Sequence, residues 1–462
     1  MATNKSRQSH DLPFYMIVGW GLGTLPIALL FNTFNALALR YFTDVLGVAA
    51  AAAGSLIALS KLYDAFTDPA MGWISDRTKT RFGKRRPYLV LGALLCAGSI
   101  AFMFSIGELA SSNVELMVFL ALILFATGYT VYNVPYLAMP AEMSLAGKTR
   151  SALMSWRVFM IGAGALIAGS LAPAVVQNGG GGSSGHSMMG LTIGGLILSA
   201  GILSVILVRK APEIAQTTKP VSLSRKEWFQ TIASNRPFLI LMGTKLFLLL
   251  AVAVAASTLA FFTVWFLKRD YSTLALILLC MNGAQIIATP AWLWVYRRIG
   301  PQRTFLLSAL IFAAVSLTWL LADANEPLSM IYLRAIGKGL GAGGVLLVGQ
   351  ALLPDVIEYD RLTSSKRREG VLSGLYTTIE KLAFALASAM LGFWLQLNDY
   401  VPQLNPYSDA QPQSALTALN FCQSIFPAVF IGIAAIIVLF YSIDEDRLVE
   451  LRKRQAELPM AD

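Results

Sequence analysis

One apolar segment near the N-terminus carries a lysine and two aspartates at helical spacing. Lys61, Asp64 and Asp68 are three and four residues apart, so an α-helix would place their side chains on one face, within mutual reach. A carboxylate in apolar surroundings is costly unless it faces a cavity or a partner. Two neighbouring carboxylates can ligate a small hard cation such as Na⁺, or they can share a proton. The alternative interpretation is a structural ion-pair cluster with Lys61.

The composition places this segment in a membrane. Of the 462 residues, 56% are hydrophobic and only 13% are charged, whereas soluble domains carry about 25% charged residues. Cys96, Cys280 and Cys422 all lie in apolar runs, which argues against a disulfide framework or a zinc site. The sequence offers no nucleophile–base pair, metal cluster or phosphate-binding loop, so neither an enzyme nor a bound cofactor is expected.

Twelve apolar stretches are long enough to cross the hydrocarbon core as helices, numbered here as spans 1 to 12. They lie at 13–39, 46–74, 88–106, 113–143, 151–175, 187–208, 237–267, 272–296, 304–322, 328–357, 371–396 and 417–442. We therefore predict an all-α membrane protein with twelve transmembrane helices. Six-helix bundles are expected at 1–208 and 237–442, with a cytoplasmic linker at 209–236 and a cytoplasmic tail at 443–462. Hydrophobic residues around Trp228 recur at helical spacing and predict a short helix on the membrane surface.

The basic residues predict the orientation. With the N-terminus inside, 27 of the 36 Lys and Arg fall in cytoplasmic segments, three in external loops and six within spans. This bias follows the positive-inside rule and predicts a multi-pass protein of the bacterial cytoplasmic membrane with both termini cytoplasmic. Because the charge is spread over short loops, it faces lipid head groups and does not predict a nucleic-acid partner.

The two halves of the chain echo each other. Segments 68–77 and 289–298 end spans 2 and 8, and they share Pro, Ala, Trp and Arg at corresponding positions. Spans 4 and 10 both approach the cytoplasm through a proline followed by an acid, at Pro140 and Pro354. Such weak repeats are typical of transporters that work by alternating access. Charged residues at the cytoplasmic ends of the spans form a candidate gating network, namely Asp76, Arg77, Arg81, Arg85, Glu142, Asp355 and Glu358.

Further charges are predicted to be embedded in the membrane. Lys381 follows Glu380 about ten residues into span 11, too deep for the lysine to reach the membrane surface easily. We expect Lys381 to pair with Asp64 or Asp68, to compete with the bound cation and to link the two halves. Embedded bases outnumber embedded acids, which indicates an anionic solute unless acids at the cytoplasmic rim compensate. The bases are Lys61, Arg157, Lys245, Arg334, Lys338 and Lys381, and the acids are Asp64, Asp68 and Glu380.

Several motifs resemble one transporter family. Segments 61–72 and 75–87 strongly resemble the glycoside–pentoside–hexuronide:cation symporters of the major facilitator superfamily. Segments 41–47, 133–135 and 354–360 are similar to that family too. The resemblance covers both halves and implies the major facilitator fold, with two six-helix pseudo-symmetric bundles.

The resemblance also implies roles for individual residues. Asp64 and Asp68 correspond to the cation-site carboxylates, which would be the metal ligands if the ion is Na⁺. Lys61 corresponds to the neighbouring base and Lys381 to the coupling lysine of span 11. Arg157 matches a sugar-contacting arginine of span 5.

The departures from the family's pattern are informative as well. Asn133 stands where the best-known member has a third membrane acid, which shifts the expected ion from Na⁺ towards H⁺. Ala28 replaces a sugar-binding aspartate, and Leu137 and Leu346 replace two tryptophans of the sugar pocket, which puts a galactoside in doubt. Polar and aromatic side chains nearby remain as candidate solute contacts, namely Asn32, Asn35 and Tyr376.

The leading hypothesis is a secondary active symporter that functions as a monomer. It would couple the entry of H⁺ or Na⁺ to the uptake of a glycoside or related sugar, neutral or acidic, by alternating access. Cation-coupled transport of a lysolipid or other amphiphile is the main alternative, because the missing tryptophans leave a more apolar pocket. Drug export and a non-transporting membrane sensor remain further alternatives.

Overall fold

The computed structural model describes residues 12–109, 112–144, 147–212, 235–364, 369–403, 409–443 and 450–451. Within these ranges the regular structure is helical, as predicted. Most of the predicted linker and tail, including the surface helix expected around Trp228, lies outside the described residues. The helices group into two compact units, Met1–Thr218 and Lys219–Asp462. The four predicted domain limits stay predictions.

The N-terminal unit contains seven described α-helices and one π-helix. They are α1 (Phe14–Leu22), α2 (Leu25–Arg40), the π-helix Tyr41–Val45, α3 (Ala50–Arg77), α4 (Arg86–Leu109), α5 (Val114–Met143), α6 (Gly147–Asn178) and α7 (Ser183–Val208). Its core forms where α4 packs on α5 and α7, α2 packs on α6, and α3 packs on α5. The acids predicted to bind a cation are therefore carried by α3, with α5 as its main neighbour.

The C-terminal unit contains six described α-helices with two short helical segments between them. They are α8 (Arg236–Phe261), the π-helix Phe262–Phe266, α9 (Tyr271–Thr318), the 3₁₀-helix Trp319–Leu321, α10 (Leu328–Ser364), α11 (Glu369–Leu397), α12 (Gln413–Gln423) and α13 (Ile425–Val438). α9 packs on α10, and α8 packs on α11 and α13. Lys381 lies on α11.

Ten helical stretches among the described residues are long and apolar enough to cross a membrane. One of them, Tyr271–Leu321, contains a break at Gly300, whose φ of 80° is non-helical. α3 is not among the ten and carries Lys61, Asp64 and Asp68. A membrane-embedded helical protein is thus established, whereas the count of twelve spans stays a prediction.

Span 1 is broken within the membrane, between α1 and α2. At Gly23 and Thr24 the backbone N–H groups bond to the carbonyls of Trp20 and Gly21, three residues earlier, and side chains of α5 and α7 donate to carbonyls around this break. Tyr132 donates to the Gly23 carbonyl at 2.9 Å, Tyr136 to that of Trp20 at 2.8 Å, and Ser204 to that of Gly19 at 2.8 Å. Buried backbone groups need such partners, because no water reaches them in lipid.

The first spans of the two units end in the same way. Each passes into a five-residue π-helix, at Tyr41–Val45 and at Phe262–Phe266. In the N-terminal unit the Tyr41 hydroxyl donates to the Phe104 carbonyl at 3.0 Å and accepts from the Gly107 N–H at 2.9 Å. π-Helical turns are rare and often occur at functional positions. Their recurrence at corresponding places is in keeping with related halves.

Candidate functional site

The acid pair lies on α3, facing α5. Asp64 is only 2% exposed and Asp68 is half-buried. The Thr130 hydroxyl of α5 donates a 2.7 Å hydrogen bond to Oδ1 of Asp68 and lies 3.4 Å from the Thr67 hydroxyl. Pro69 lies inside the same helix and has no N–H to donate to the turn before it. The structure therefore carries both predicted acids on α3, with Asp64 buried and the half-buried Asp68 bound to α5.

Lys61 lies in a cage of three aromatic rings. Its Nζ is 4.9 Å from the ring centroid of Phe125 on α5, and 5.2 Å and 5.8 Å from those of Phe34 and Phe31 on α2. The whole residue is 6% exposed. Ring faces attract an ammonium by roughly 2 kcal/mol or more when both are desolvated. The cage thus fixes a positive charge one turn before Asp64.

Two threonines of this site escaped the sequence analysis. Thr130 binds Asp68, and the Thr127 hydroxyl is 3.1 Å from the hydroxyl of Tyr63 on α3. Thr127, Thr130 and Asn133 follow one another at intervals of three residues, so α5 carries them on one side. This three-residue spacing is the sequence signal that could have identified Thr127 and Thr130 as part of the site. Asn133 itself is half-buried on α5.

The C-terminal unit contains a second ionic cluster, between α8 and α11, in which the base Lys245 is buried and the acid Glu380 is partly exposed. Nζ of Lys245 lies 3.0 Å from Oε2 of Glu380 and donates to the Tyr376 carbonyl at 2.8 Å. The Tyr376 hydroxyl in turn donates to the Gly349 carbonyl of α10 at 2.7 Å. Tyr376, a predicted solute contact, is thereby buried and fully engaged with its own unit. Lys381 is half-buried on the same helix, and its pairing with Asp64 or Asp68 stays a prediction.

Arg85 organises the predicted network at the end of α3. Its guanidinium contacts both carboxylate oxygens of Glu142, the nearest at 2.8 Å, and it also binds Asp76 and the Ser75 hydroxyl. Burial lowers the pKa of Arg85, but the hydrogen bonds and charges of Glu142 and Asp76 outweigh it, so the pKa is raised overall. Arg85 therefore joins the ends of α3 and α5 as a permanent cation.

Each remaining member of the predicted network has its own surroundings within its unit. Arg77 and Arg81 lie over aromatic rings, those of Trp73 and Phe82 respectively. In the C-terminal unit Asp355 and Glu358 are half-buried. Glu358 is 4.0 Å from Arg361.

A buried acid that sequence reasoning missed lies near the end of α10. Asp360 is nearly inaccessible and accepts a 3.1 Å hydrogen bond from the Asn235 side chain at the start of α8. The sequence signal that could have identified Asp360 was its place a few residues after Pro354 on α10. The embedded acid at this end of the C-terminal unit is therefore Asp360.

The candidate solute contacts occupy different environments. Ala28 is buried against Gly164, where α2 and α6 come into close contact, and the Asn32 side chain donates to the Ala28 carbonyl at 2.7 Å. Arg157 is half-buried on α6, close enough to the Tyr136 hydroxyl for an electrostatic interaction. Asn35 and Leu346 are half-buried, and Leu137 is 38% exposed.

Known proteins relate this arrangement to a transporter family. The sequence profile of the family described as MFS/sugar transport protein matches residues 19–445. The chain belongs to this family. The resemblance to glycoside–pentoside–hexuronide:cation symporters is confirmed, and the protein is a membrane transporter of a small molecule.

Three relatives illustrate the range of the family. A glucuronide carrier protein homolog of Escherichia coli is 26% identical, covering 96% of this chain and 95% of the relative. An isoprimeverose transporter of Lactiplantibacillus pentosus is 24% identical, with coverages of 96% and 93%. A sodium-dependent lysophosphatidylcholine symporter of Mus musculus is 23% identical, with coverages of 89% and 82%.

Solved structures share the fold. A bacterial homologue of the human lysosomal transporter Spinster, in an inward-facing and unoccupied conformation, has a TM-score of 0.67 at 13% identity, with coverages of 97% of this chain and 98% of the other. At that identity the likeness shows the fold alone. The predicted major facilitator fold is confirmed at this level.

Proposed function

We propose that the chain is a sugar symporter that couples the entry of H⁺ or Na⁺ to the uptake of a glycoside. It would cross the bacterial cytoplasmic membrane twelve times, with α3 as one span, the two parts of α9 on either side of Gly300 as two, and both termini in the cytoplasm. The family match and the names of its sugar-transporting relatives support this function. The positive-inside bias supports the orientation, and each chain would work as a monomer.

The acid pair on α3, with Asp64 buried and Asp68 half-buried, is the observation that carries the proposal. Asp64 and Asp68 lie within an apolar unit, beside a fixed ammonium, where carboxylates are costly unless they serve a function. A cation that binds there neutralises a carboxylate and lowers the cost of closing the site. Cation and solute together would then permit the conformational change that neither permits alone.

Lys381 would complete the coupling from α11. Lys381 is half-buried on this helix, and a charged side chain of a membrane helix is stable only on a face that meets water or protein. We infer that this face lines the transport path. Lys381 would pair with the acids of α3 when the cation is absent and leave them when it binds.

The solute would be a glycoside whose acidic or polar group meets Arg157. Its Nε–H has no hydrogen-bond partner among the residues that the structure describes. A guanidinium is well suited to a planar carboxylate, because it can donate two parallel hydrogen bonds. Asn32 and Asn35 on α2 would bind sugar hydroxyls, and Leu137 and Leu346 would contact the apolar face of the ring.

Transport of a lysolipid is the second candidate. Leu137 presents an exposed apolar side chain where the family's pattern has a pocket tryptophan, and one relative is named a lysophosphatidylcholine symporter. In that case the same acids would couple the cation to the head group of an amphiphile.

Ligand-dependent thermal stability tests the proposal directly. The purified full-length chain would be heated with a glucuronide, a pentoside, a galactoside or lysophosphatidylcholine, each at two pH values with Na⁺ or choline. A ligand at a hundred times its Kd stabilises the folded state by about 2.7 kcal/mol. Stabilisation by a glycoside that depends on pH or Na⁺ supports the symporter. Stabilisation by the lysolipid alone, or by no glycoside under any ionic condition, refutes the sugar proposal.

A further inference from the structure

Span 12 is interrupted where α12 ends and α13 begins. α12 ends at Gln423, Ser424 has a φ of −111° and a ψ of −69°, and Pro427 follows in the first turn of α13. In a continuous helix the N–H of residue 427 would donate to the carbonyl of Gln423, four residues earlier. Proline has no N–H, so the carbonyl of this buried residue needs another donor.

The side chain of Lys338 on α10 supplies that donor. Its Nζ lies 3.3 Å from the Gln423 carbonyl oxygen and 5.7 Å from the ring centroid of Phe312, and the residue is 3% exposed. The carbonyl belongs to the C-terminal end of α12, where the helix dipole favours a positive charge. The ammonium thus takes the place of the hydrogen bond that Pro427 cannot make.

The side-chain amide of Gln423 extends this contact to α8. In the orientation that satisfies both ends of the amide, its oxygen accepts from Nζ of Lys338 at 3.1 Å and its nitrogen donates to the Ala255 carbonyl at 3.0 Å. α8 also packs on α10 and on α12. One residue at the interruption of span 12 is therefore bonded to both span 7 and span 10.

The backbone that carries Lys338 is held firmly, because α10 lies close to α9 on either side of it. A Cβ at Gly341 would lie 2.6 Å from the Phe312 backbone nitrogen, and one at Gly337 would lie 3.0 Å from the Val315 side chain. Such small residues allow two membrane helices to pack closely. The ammonium is therefore presented to α12 from a fixed position.

The N-terminal unit meets the same need with neutral groups. Span 1 is broken just before Pro26, and Tyr132 and Tyr136 of α5 donate to carbonyls there. α5 and α10 are spans 4 and 10, so corresponding spans of the two halves supply the donors. Lys338 differs because a buried ammonium is costly unless it has acceptors. An apolar side chain would fill the same space without that cost, so the ammonium points to the hydrogen bond that it donates.

From this geometry we infer that Lys338 is a positioning residue that replaces the donor missing at Pro427 and so fastens the interrupted span 12 to spans 7 and 10. The three spans then stay packed as one group, as is required of a bundle that moves as a body during alternating access. The inference concerns neither the solute nor the coupling ion, and its test requires neither.

Cys422 is a natural reporter of the interruption, because it is fully buried and directly precedes Gln423. The purified full-length chain would carry Cys96→Ala and Cys280→Ala, so that Cys422 is the thiol that reacts with N-ethylmaleimide. When local opening and closing are faster than the reaction, its rate follows the population in which this part of span 12 is open.

Two substitutions separate the proposed bond from general packing. Lys338→Met keeps a long side chain but removes the donor. We expect it to make Cys422 react about tenfold faster, which corresponds to a lost hydrogen bond of about 1.4 kcal/mol. Pro427→Ala supplies a backbone N–H for the Gln423 carbonyl. In the Pro427→Ala background, Lys338→Met should therefore change the rate by less than about threefold.

Two controls make the result specific. Pro290→Ala changes a proline of α9 in the same unit and should leave the effect of Lys338→Met unaltered. The second control leaves Cys280 of α9 as the reacting thiol, in a Cys96→Ala, Cys422→Ala background. Its reaction should not respond to Lys338→Met, because the opening is confined to the interruption of span 12.

Several results would overturn the inference. They are an unchanged Cys422 rate in Lys338→Met, a faster rate that Pro427→Ala does not reduce, and an equal acceleration at Cys280, which would mean that the whole unit has loosened. If Lys338→Met does not fold, recovery of folded protein by Pro427→Ala and not by Pro290→Ala supports the bond, and lack of recovery overturns it. Failure of the proposed symport would leave these rates unaffected, because they are measured without a solute.

Discussion

Removal of the Arg85 guanidinium should destabilise the N-terminal unit measurably. The Arg85 side chain is 8% exposed and that of Glu142 is 17% exposed, so Arg85→Gln leaves a mostly buried carboxylate without its cation. Breaking a buried pair costs about 3–5 kcal/mol, but the partial exposure of Glu142 reduces this figure. The Asp76 pair adds less than about 1 kcal/mol, because the Asp76 side chain is 63% exposed. The expected loss in unfolding free energy is therefore ~2–3 kcal/mol.

The three cysteines permit an assay that reports on this unit alone. Cys96 is buried in α4, so in a Cys280→Ala, Cys422→Ala background a thiol-reactive dye reports the unfolding of the N-terminal unit. A loss of ~2–3 kcal/mol should lower its Tm by roughly 4–12 °C for a unit of this size. Arg81→Gln is the matched control, since Arg81 is exposed and lies over Phe82, and it should stay within about 1 °C.

A double-mutant cycle tests the stated cause. If the Glu142 contact carries the effect, Arg85→Gln combined with Glu142→Gln should cost ~1–2 kcal/mol less than the sum of the single changes. Additive changes, or an Arg85→Gln protein that unfolds with the wild type, would refute the reasoning.

Four further changes have defined outcomes. Asp64→Asn should abolish accumulation of a glycoside against its gradient in membrane vesicles. Glu115→Gln changes an exposed acid of α5 and should retain this accumulation. Uphill uptake by the Asp64→Asn variant would exclude Asp64 from coupling. Thr130→Val should lower the unfolding free energy by ~1–2 kcal/mol, because it removes the hydrogen bond to Asp68, and Thr130→Ser should restore most of it in chemical denaturation. Gly92→Ala should cost ~1–3 kcal/mol, since its Cβ would lie 2.6 Å from the Tyr132 backbone, whereas Gly98→Ala has open space and should be neutral or stabilising. Arg157→Gln should weaken glucuronide binding about 10–100-fold while it leaves a neutral glycoside within about threefold, and equal losses for both ligands would contradict a carboxylate contact.

The helical membrane fold could be predicted because its cause is local. Long apolar stretches must form helices in lipid, so the predicted spans agree with most of the observed helices within a few residues. The break of span 1 at Gly23 could not be predicted in the same way. It depends on Tyr132, Tyr136 and Ser204, which come from helices far away in the sequence and donate hydrogen bonds to the carbonyls around the break.

The candidate site could be predicted only in part, for the same reason. The common face of Lys61, Asp64 and Asp68 follows from helical spacing within one segment. The cage around Lys61 does not, because its rings come from α2 and α5 and only the packing of three helices brings them together. Intramembrane charges could thus be found from the sequence, while the groups that stabilise each charge required the structure.

The partners of the embedded bases change the argument about the solute. Counted from the sequence, the surplus of bases favoured an anion, but Arg334 binds Glu326 of a loop and Lys245 binds Glu380. Nζ of Lys338 donates to the Gln423 carbonyl at the end of α12, a position where the helix dipole already favours a cation. Lys61 is held by rings. Because these bases are engaged within their own units, their number alone does not support an acidic solute, and that hypothesis depends on the side chain of Arg157, whose Nε–H lacks a partner in the described part of the chain.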